Sequence, residues 1–243
     1  MAMEFRAPWE FWSVLPSWPA LMRAPAGDGH SVIMYPGLSA SDTSTLALRL
    51  YLQNLGYNAV GWKQGHNFGP RAGVMPLARH QLEEAAQDSG GKVSLLGWSL
   101  GGIYARELAK ELPHLVRSVI TLGTPFAGTH RNTNAWRLFE LTSGKNIANE
   151  AERFDLPTAP PVPTSSVFSR TDGVVHWEAS VQRSSKAQPK TENIEVYASH
   201  LGIALNPSTW WVVADRLSQA EESWQPFRRD GMLQNWVYPD PKR

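Results

Sequence analysis

A serine flanked by small residues is the first group in this sequence that could do chemistry. The segment reads Gly97-Trp98-Ser99-Leu100-Gly101, so a glycine stands two positions before the serine and another two positions after it. A nucleophilic serine on a sharp turn between a strand and a helix has a strained backbone, and small residues at those two positions clear the neighbouring strand and helix. The spacing predicts a nucleophile elbow. The alternative interpretation is an ordinary tight turn with an exposed serine.

The segments on either side of Ser99 favour the elbow. Residues 92–97 form a largely apolar run that predicts a buried strand. Residues 103–112 carry apolar side chains at helical spacing, at positions Ile103, Tyr104, Leu108 and Leu112. Strand, serine turn and helix therefore follow one another in the order that an elbow requires.

A histidine must accept the proton of such a serine, because a hydroxyl is a weak nucleophile near neutral pH. Three of the seven histidines lie beyond the strands around Ser99, namely His130, His176 and His200. His200 follows the last strand-like run, at the carboxyl end where the base is expected. His130 precedes every well-placed acid, and His176 closely follows the best one, so both are interpreted as surface or core histidines.

A carboxylate should hold the histidine in the correct tautomer, and it should lie between serine and histidine along the chain. Asp172 follows a strand-like run and directly precedes Gly173. Its alternative role is that of a turn aspartate that binds its own backbone. Because an elbow precedes it and a strand-end histidine follows it, we predict Asp172 as the acid, with Glu178 and Asp155 as weaker substitutes.

Two backbone N–H groups should stabilise the oxyanion of a tetrahedral intermediate. One is predicted to be that of Leu100, the residue after the nucleophile. The other should come from the loop after the first strand, where Tyr35-Pro36-Gly37-Leu38 turns sharply. Leu38 is the candidate there, since Pro36 has no N–H.

Strand-like and helix-like segments alternate along the chain, which predicts a parallel sheet with its site at the carboxyl ends of the strands. Residues 124–163 interrupt this pattern with an excursion too long for a plain connection, so we predict a lid or a surface elaboration. The predicted strands cover residues 31–35, 57–62, 92–97, 117–123, 165–168 and 194–197, and the predicted helices lie near residues 42–55, 76–88, 103–112 and 210–218.

Composition narrows the class of protein. The length of 243 residues predicts one domain over residues 1–243. Charges are balanced, with 23 Lys and Arg against 22 Asp and Glu, and this argues against a nucleic-acid partner. The sequence has no cysteine, which excludes disulfides and a cysteine nucleophile. It has no apolar run typical of a signal peptide or a membrane span, so we expect a cytoplasmic protein.

The first 30 residues form a Trp- and Pro-rich arm that includes Trp9, Trp12 and Trp18. An arm packed on the body of the protein is the simpler interpretation. A weak contact with a membrane interface is the alternative, because tryptophan favours the boundary between lipid and water, although the basic face of interfacial helices is missing.

Four blocks together resemble the α/β-hydrolase superfamily, in its serine lipase and esterase branch, which includes bacterial lipases and inositol-deacylase-like hydrolases. The resemblance spans about residues 31–218. Its blocks are Gly97-Trp98-Ser99-Leu100-Gly101-Gly102, Leu122-Gly123-Thr124-Pro125-Phe126-Ala127-Gly128-Thr129, Thr171-Asp172-Gly173-Val174-Val175 and Ser199-His200-Leu201-Gly202.

This resemblance implies an α/β-hydrolase fold. Together with the strand pattern of this chain, it predicts a mostly parallel sheet of about six strands, with helices on both faces and a helical lid-like insertion. It also implies hydrolysis of small-molecule or lipid esters through an acyl-serine, with no metal and no cofactor. The chain departs from the family at Tyr35-Pro36-Gly37, where members commonly have His-Gly, and in lacking clear strands before residue 31.

Tryptophans near the expected site predict an apolar acyl pocket, with Trp98, Trp136 and Trp177 as candidate substrate-binding residues, although ordinary core and lid contacts are an equal interpretation. His66 is interpreted as structural.

The same three catalytic side chains would serve a thioesterase, an amidase or an acyltransferase. A non-catalytic binding module on this fold is a further alternative, against which the three intact side chains argue.

Overall fold

The computed structural model describes residues 2–127, 155–183, 185–230 and 232–243. Six strands form one sheet in the order β2-β1-β3-β4-β5-β6, and every neighbouring pair is parallel. The strands are β1 (Ser31–Tyr35), β2 (Asn58–Gly61), β3 (Val93–Trp98), β4 (Val116–Leu122), β5 (Thr164–Phe168) and β6 (Thr191–Glu195).

Helices cover both faces of this sheet, as the sequence predicts. The α-helices are α1 (Ala7–Trp12), α2 (Val14–Leu21), α3 (Asp42–Asn54), α4 (Val74–Ser89), α5 (Leu100–Glu111), α6 (Pro207–Leu217) and α7 (Met232–Val237). The predicted parallel sheet of about six strands, with helices on both faces, is therefore confirmed.

Alternation along the strands divides the core into two layers. In β1, Val32 and Met34 pack with α3 and α6 on one face, whereas Ile33 and Tyr35 pack with α4 and α5 on the other. All five residues of β1 are buried. Because both faces are covered, such a strand is an unbroken apolar run without alternating polar residues, which is why the sequence shows it so clearly.

The last strand begins and ends earlier in the sequence than predicted. The sequence predicts residues 194–197, whereas β6 covers Thr191–Glu195. Polar side chains early in this strand find partners: Glu192 accepts a hydrogen bond from the Ser165 hydroxyl (2.6 Å), and Asn193 exchanges two hydrogen bonds with the backbone of Gln182. Tertiary contacts thus allow polar residues to pair in the sheet, and the chain leaves it before Tyr197.

The predicted lid region, residues 124–163, falls largely in the segment 128–154, which lies outside the described residues. At its near end, the N–H of Phe126 donates to the Ala179 carbonyl (2.9 Å). Among the described helices, none has the length and apolarity that crossing a membrane requires.

Candidate active site

Ser99 occupies the turn between β3, which ends at Trp98, and α5, which begins at Leu100. Its backbone has φ 52° and ψ −121°. A positive φ at a residue with a side chain costs of order 1–3 kcal/mol and persists only where the surroundings enforce it. The side chain is 3 % exposed.

Close packing explains the two glycines around this turn. A Cβ atom on Gly97 would lie 2.3 Å from the Cα of Gly102, and a Cβ atom on Gly101 would lie 2.2 Å from the carbonyl oxygen of Tyr35. Both distances are far below van der Waals contact, so a larger residue at position 97 would force β3 and α5 apart, and one at position 101 would force α5 away from the end of β1. Gly97 and Gly101 thus clear the neighbouring helix and strand, as the sequence predicts.

His200 follows β6 on a loop at the carboxyl edge of the sheet. Its Nε2 atom lies 3.0 Å from the Ser99 Oγ. The indole N–H of Trp98 donates to the His200 carbonyl (3.0 Å), and this contact ties the histidine loop to the residue just before the serine. The imidazole is buried, with 5 % of the side chain exposed.

Asp172 completes a chain of hydrogen bonds that starts at Ser99. Its Oδ2 lies 2.7 Å from the Nδ1 of His200. Its Oδ1 accepts the backbone N–H groups of Val174 (2.8 Å) and Val175 (2.7 Å). The two roles considered for this residue are thus combined: one oxygen forms the turn, and the other contacts the histidine.

The alternative acids and bases lie elsewhere. Glu178 has a side chain 69 % exposed and lies 3.8 Å from the Nδ1 of His176, itself exposed. The Asp155 carbonyl accepts a hydrogen bond from Lys110. The structure thus brings together the three side chains predicted from the sequence, Ser99, His200 and Asp172. His130 lies outside the described residues.

The loop after β1 lies against the serine. A Cβ atom on Gly37 would stand 3.3 Å from the Cβ of Ser99. Within the described residues, no hydrogen bond uses the N–H of Leu38 or of Leu100. No described residue accepts the N–H of either predicted oxyanion donor, and the two donors lie on the segments that border Ser99.

Asn67 holds this loop in place and was missed from the sequence. It is fully buried, and its amide nitrogen donates to the Pro36 carbonyl (2.8 Å) while its amide oxygen accepts from the Tyr104 hydroxyl (3.0 Å). The N–H of Ser39 donates to its backbone carbonyl (2.7 Å). Asn67 lies in the glycine-rich loop that follows β2, the strand next to β1. This position beyond the end of a predicted strand was the only sequence signal that Asn67 could support the site. Its neighbour His66 stacks on Phe68, away from these contacts.

The candidate substrate-binding tryptophans have different surroundings. Trp98 is 9 % exposed and packs between Gly37 and His200, with its ring centroid 5.9 Å from that of the imidazole. Trp177 stacks on Phe168. The Arg170 guanidinium carbon lies over the Trp177 ring, 3.8 Å from the centroid of that ring. Trp136 lies outside the described residues.

A buried arginine joins the segments on both sides of residues 128–154. The Arg106 guanidinium stands 3.7 Å above the ring of Phe126 and donates to the carbonyls of Leu156 and Thr158 and to the side chain of Gln182. Burial lowers the pKa of Arg106 to about 10, which still leaves it protonated near neutral pH.

Within the described residues, the His, Asp and Glu side chains form no group of three or more that could hold a metal ion. Around Ser99, the described residues supply a hydroxyl, an imidazole, a carboxylate and backbone amides.

Comparison with known proteins agrees with the fold. Residues 5–240 match the sequence model described as the alpha/beta hydrolase family. No curated protein sequence matches the chain significantly.

Several solved structures are similar. Aspergillus fumigatus lipase B has a TM-score of 0.63 at 18% identity, over 79% of this chain and 53% of that one, so this chain spans about half the length of that lipase. The mature form of Bacillus licheniformis lipase BlEst2 has a TM-score of 0.56 at 17% identity, over 80% and 94% of the two chains. A thioesterase domain from the curacin biosynthetic pathway has a TM-score of 0.52 at 11% identity, over 79% and 92%. At these identities, the likeness shows a shared fold.

Proposed function

The chain belongs to the alpha/beta hydrolase family, and from that premise we propose that it is a serine hydrolase that cleaves carboxylic esters through an acyl-serine intermediate. The observation that carries the proposal is the continuous set of contacts from Ser99 Oγ through His200 to Asp172, with distances of 3.0 and 2.7 Å. These are the distances that a catalytic triad needs between nucleophile, base and acid.

In the first half of the proposed reaction, Ser99 Oγ attacks the ester carbonyl carbon while His200 Nε2 accepts the hydroxyl proton. Asp172 accepts the hydrogen bond of the Nδ1–H and stabilises the imidazolium. The carbonyl oxygen becomes an oxyanion, to which the N–H groups of Leu38 and Leu100 donate. When the intermediate collapses, the bond to the alcohol oxygen breaks, and the imidazolium gives that oxygen its proton.

A water molecule completes the cycle. His200 accepts one of its protons, the resulting hydroxide attacks the acyl-serine carbonyl, and the same two N–H groups hold the second oxyanion. The bond to Ser99 Oγ then breaks, the serine recovers its proton from His200, and the carboxylic acid leaves. The cycle needs no group beyond those of this chain and water.

The experiment is a series of chromogenic esters of short to long acyl chains, with Ser99→Ala as the control. Hydrolysis by the wild type that is abolished in the variant supports the proposal. A wild type inactive across the series would favour a non-catalytic module, and preferential cleavage of thioesters or amides would favour the related acyl-transfer activities. The thioesterase domain among the similar structures makes the thioester comparison the first to run.

We also propose a weak contact of the arm with a lipid–water interface, supported by its exposed apolar side chains. Phe5, Trp9, Trp12 and Leu15 are 84, 75, 63 and 64 % exposed, respectively. Such side chains favour the boundary between lipid and water. Hydrolysis should then accelerate once an ester exceeds its solubility limit, and this acceleration should diminish in the Trp9→Ser/Trp12→Ser double variant. A flat rate across the limit would overturn this part of the proposal.

A further inference from the structure

The amino-terminal arm contacts both loops that carry the proposed acid and base. Glu4 lies in the 3₁₀ turn Ala2–Arg6, ahead of α1. Its Oε1 accepts the N–H of Gly173 (2.9 Å) and that of His200 (3.1 Å), and its Oε2 accepts the N–H of Leu201 (2.8 Å). One carboxylate therefore connects the residue after the acid with the backbone of the base.

Two further arm residues strengthen this connection. Arg6 donates to the Thr171 carbonyl (3.1 Å) and hydroxyl, on the acid's loop. It also pairs with Glu10 (2.9 Å), whose Oε1 accepts the N–H of Ser199 on the base's loop (2.8 Å). The arm is thus connected to each loop more than once.

Other contacts join the two loops where they leave the sheet. The Ser169 hydroxyl accepts the N–H of Ala198 (3.2 Å), and the Thr171 hydroxyl donates to the Ala198 carbonyl (3.1 Å). These bonds fix the roots of the loops, where β5 and β6 end. Glu4 makes its contacts further out, at the N–H group of Gly173, which follows Asp172, and at those of His200 and Leu201.

A carboxylate suits this position chemically. An ionised glutamate is an acceptor with two oxygens that can take several hydrogen bonds, and bonds to an anion are stronger than those between neutral groups. Backbone N–H groups that converge from a turn form a favourable site for negative charge. A neutral side chain of the same length would satisfy fewer of the three N–H groups.

We propose that Glu4 is a positioning residue, which holds the loops of Asp172 and His200 at the separation that places the imidazole against Ser99. This inference rests on the proposed function. Displacing a reacting group by about 1 Å can cost about 100-fold in rate. Losing Glu4 should therefore lower kcat, because the substrate would still bind beside an imidazole held less firmly.

The test compares variants of Glu4 with a matched change in the same arm. Glu4→Ala should lower kcat by about 10- to 100-fold with little change in KM. Glu4→Gln keeps one carbonyl oxygen for Gly173 and His200 and should recover most of that loss. Glu4→Asp keeps the charge, but its side chain is one methylene too short to reach both loops, so this variant should also lower kcat. It replaces Glu4→Ala in the test if Glu4→Ala does not fold.

The control is Val14→Ala, which weakens the packing of the arm from the buried face of α2 without removing a carboxylate. It should lower Tm while kcat stays at the wild-type value. A wild-type kcat in Glu4→Ala would overturn the proposal. So would a kcat loss in Val14→Ala equal to that in Glu4→Ala, because general loosening of the arm would then explain both.

A second measurement does not depend on ester hydrolysis. The His200 Nδ1–H proton that faces Asp172 should give a low-field NMR resonance, assigned by its loss in His200→Ala. Glu4→Ala should shift or broaden this resonance, whereas Glu4→Gln should preserve it. An unchanged resonance in Glu4→Ala overturns the positioning role, whereas failure of the ester assay with the wild type overturns only the proposed function.

Discussion

Strand β3 has a serine, a histidine and an aspartate hydrogen-bonded in sequence at each of its ends. At the carboxyl end are Ser99, His200 and Asp172. At the amino end, the Ser94 Oγ lies 2.9 Å from the Nε2 of His30, and the Nδ1 of His30 lies 2.5 Å from the Oδ1 of Asp28. Side-chain identities and distances alone do not distinguish the two networks.

Backbone surroundings do distinguish them. Ser94 lies inside β3, just after a register shift between Val93 and Ser94; it pairs with β1 and β4, and its hydroxyl lies 3.0 Å from that of Ser118. Ser99 lies beyond the strand with a positive φ, beside the N–H groups of Leu38 and Leu100. The turn and the adjacent amides, more than the three side chains, thus mark Ser99 as the candidate nucleophile.

Electrostatics also separate the two networks. The Arg117 guanidinium lies 2.6 Å from Asp28. Burial alone would raise the pKa of Asp28, but hydrogen bonds from His30 and Arg117 outweigh it and hold the pKa well below its usual range. Burial lowers the pKa of His30, more than its hydrogen bond to Asp28 raises it. We interpret the amino-end network as structural, with a neutral histidine between a charged pair and two serines.

Paired alanine substitutions give the largest expected difference. Ser99→Ala should reduce kcat by about 10⁴-fold or more, because loss of the nucleophile removes the acyl-enzyme route. Ser94→Ala removes the matching hydroxyl at the other end of β3 and should leave kcat at the wild-type value. Ester hydrolysis with active-site titration checks both, and a comparable loss in Ser94→Ala would refute the division between the networks.

Paired amide substitutions should give the next largest difference. Asp172→Asn should lower kcat by up to about 10⁴-fold, since an amide favours the wrong histidine tautomer. Its remaining carbonyl oxygen can still accept the N–H groups of Val174 and Val175, so the turn should survive. Asp28→Asn should lower Tm with kcat unaffected.

Glu178→Gln is the control for the acid. We expect this variant to match the wild type in steady-state hydrolysis. Nearly full turnover in Asp172→Asn together with loss in Glu178→Gln would mean that the acid has been assigned incorrectly.

The smallest expected effect is on the pH dependence of stability. A histidine whose pKa is lower in the folded state binds fewer protons there than in the unfolded chain, so stability falls as pH decreases through the unfolded value of about 6.5. His30→Gln should flatten this fall between about pH 7.5 and 5.5. Urea unfolding midpoints at these two pH values measure the fall in stability. His80→Gln, at an exposed histidine, is the control. If the midpoint falls equally between the two pH values in the wild type and in His30→Gln, the lowered pKa of His30 is contradicted.

Local sequence patterns were sufficient for most of the fold and for three residues of the candidate site. Every strand carries buried apolar residues that the sequence pattern reveals, and Ser99, Asp172 and His200 each follow a strand in the expected order. Glu4, Asn67 and the network of His30 could not be found this way. Apart from Asp28, which stands two residues before His30, their partners are distant in sequence, and an isolated glutamate, asparagine or histidine has no spacing that reveals such a partner.

The first residue of β6 also could not be predicted from local sequence patterns. Its first residues, Thr191–Asn193, are polar and predict a loop, and only the neighbouring Ser165 and Gln182 make a strand favourable there. Tertiary hydrogen bonds decided that boundary, whereas the other five strands begin and end within about one residue of their predicted bounds.

The contacts of Glu4 also have a consequence for the order of folding. Its carboxylate meets N–H groups that follow it by 169, 196 and 197 residues. Closing such long loops costs conformational entropy that must be offset before the contacts form, and contacts of this separation form slowly. On refolding from urea, the helical signal in circular dichroism should therefore recover first, and esterase activity should appear in a later phase, as the arm closes onto an assembled sheet.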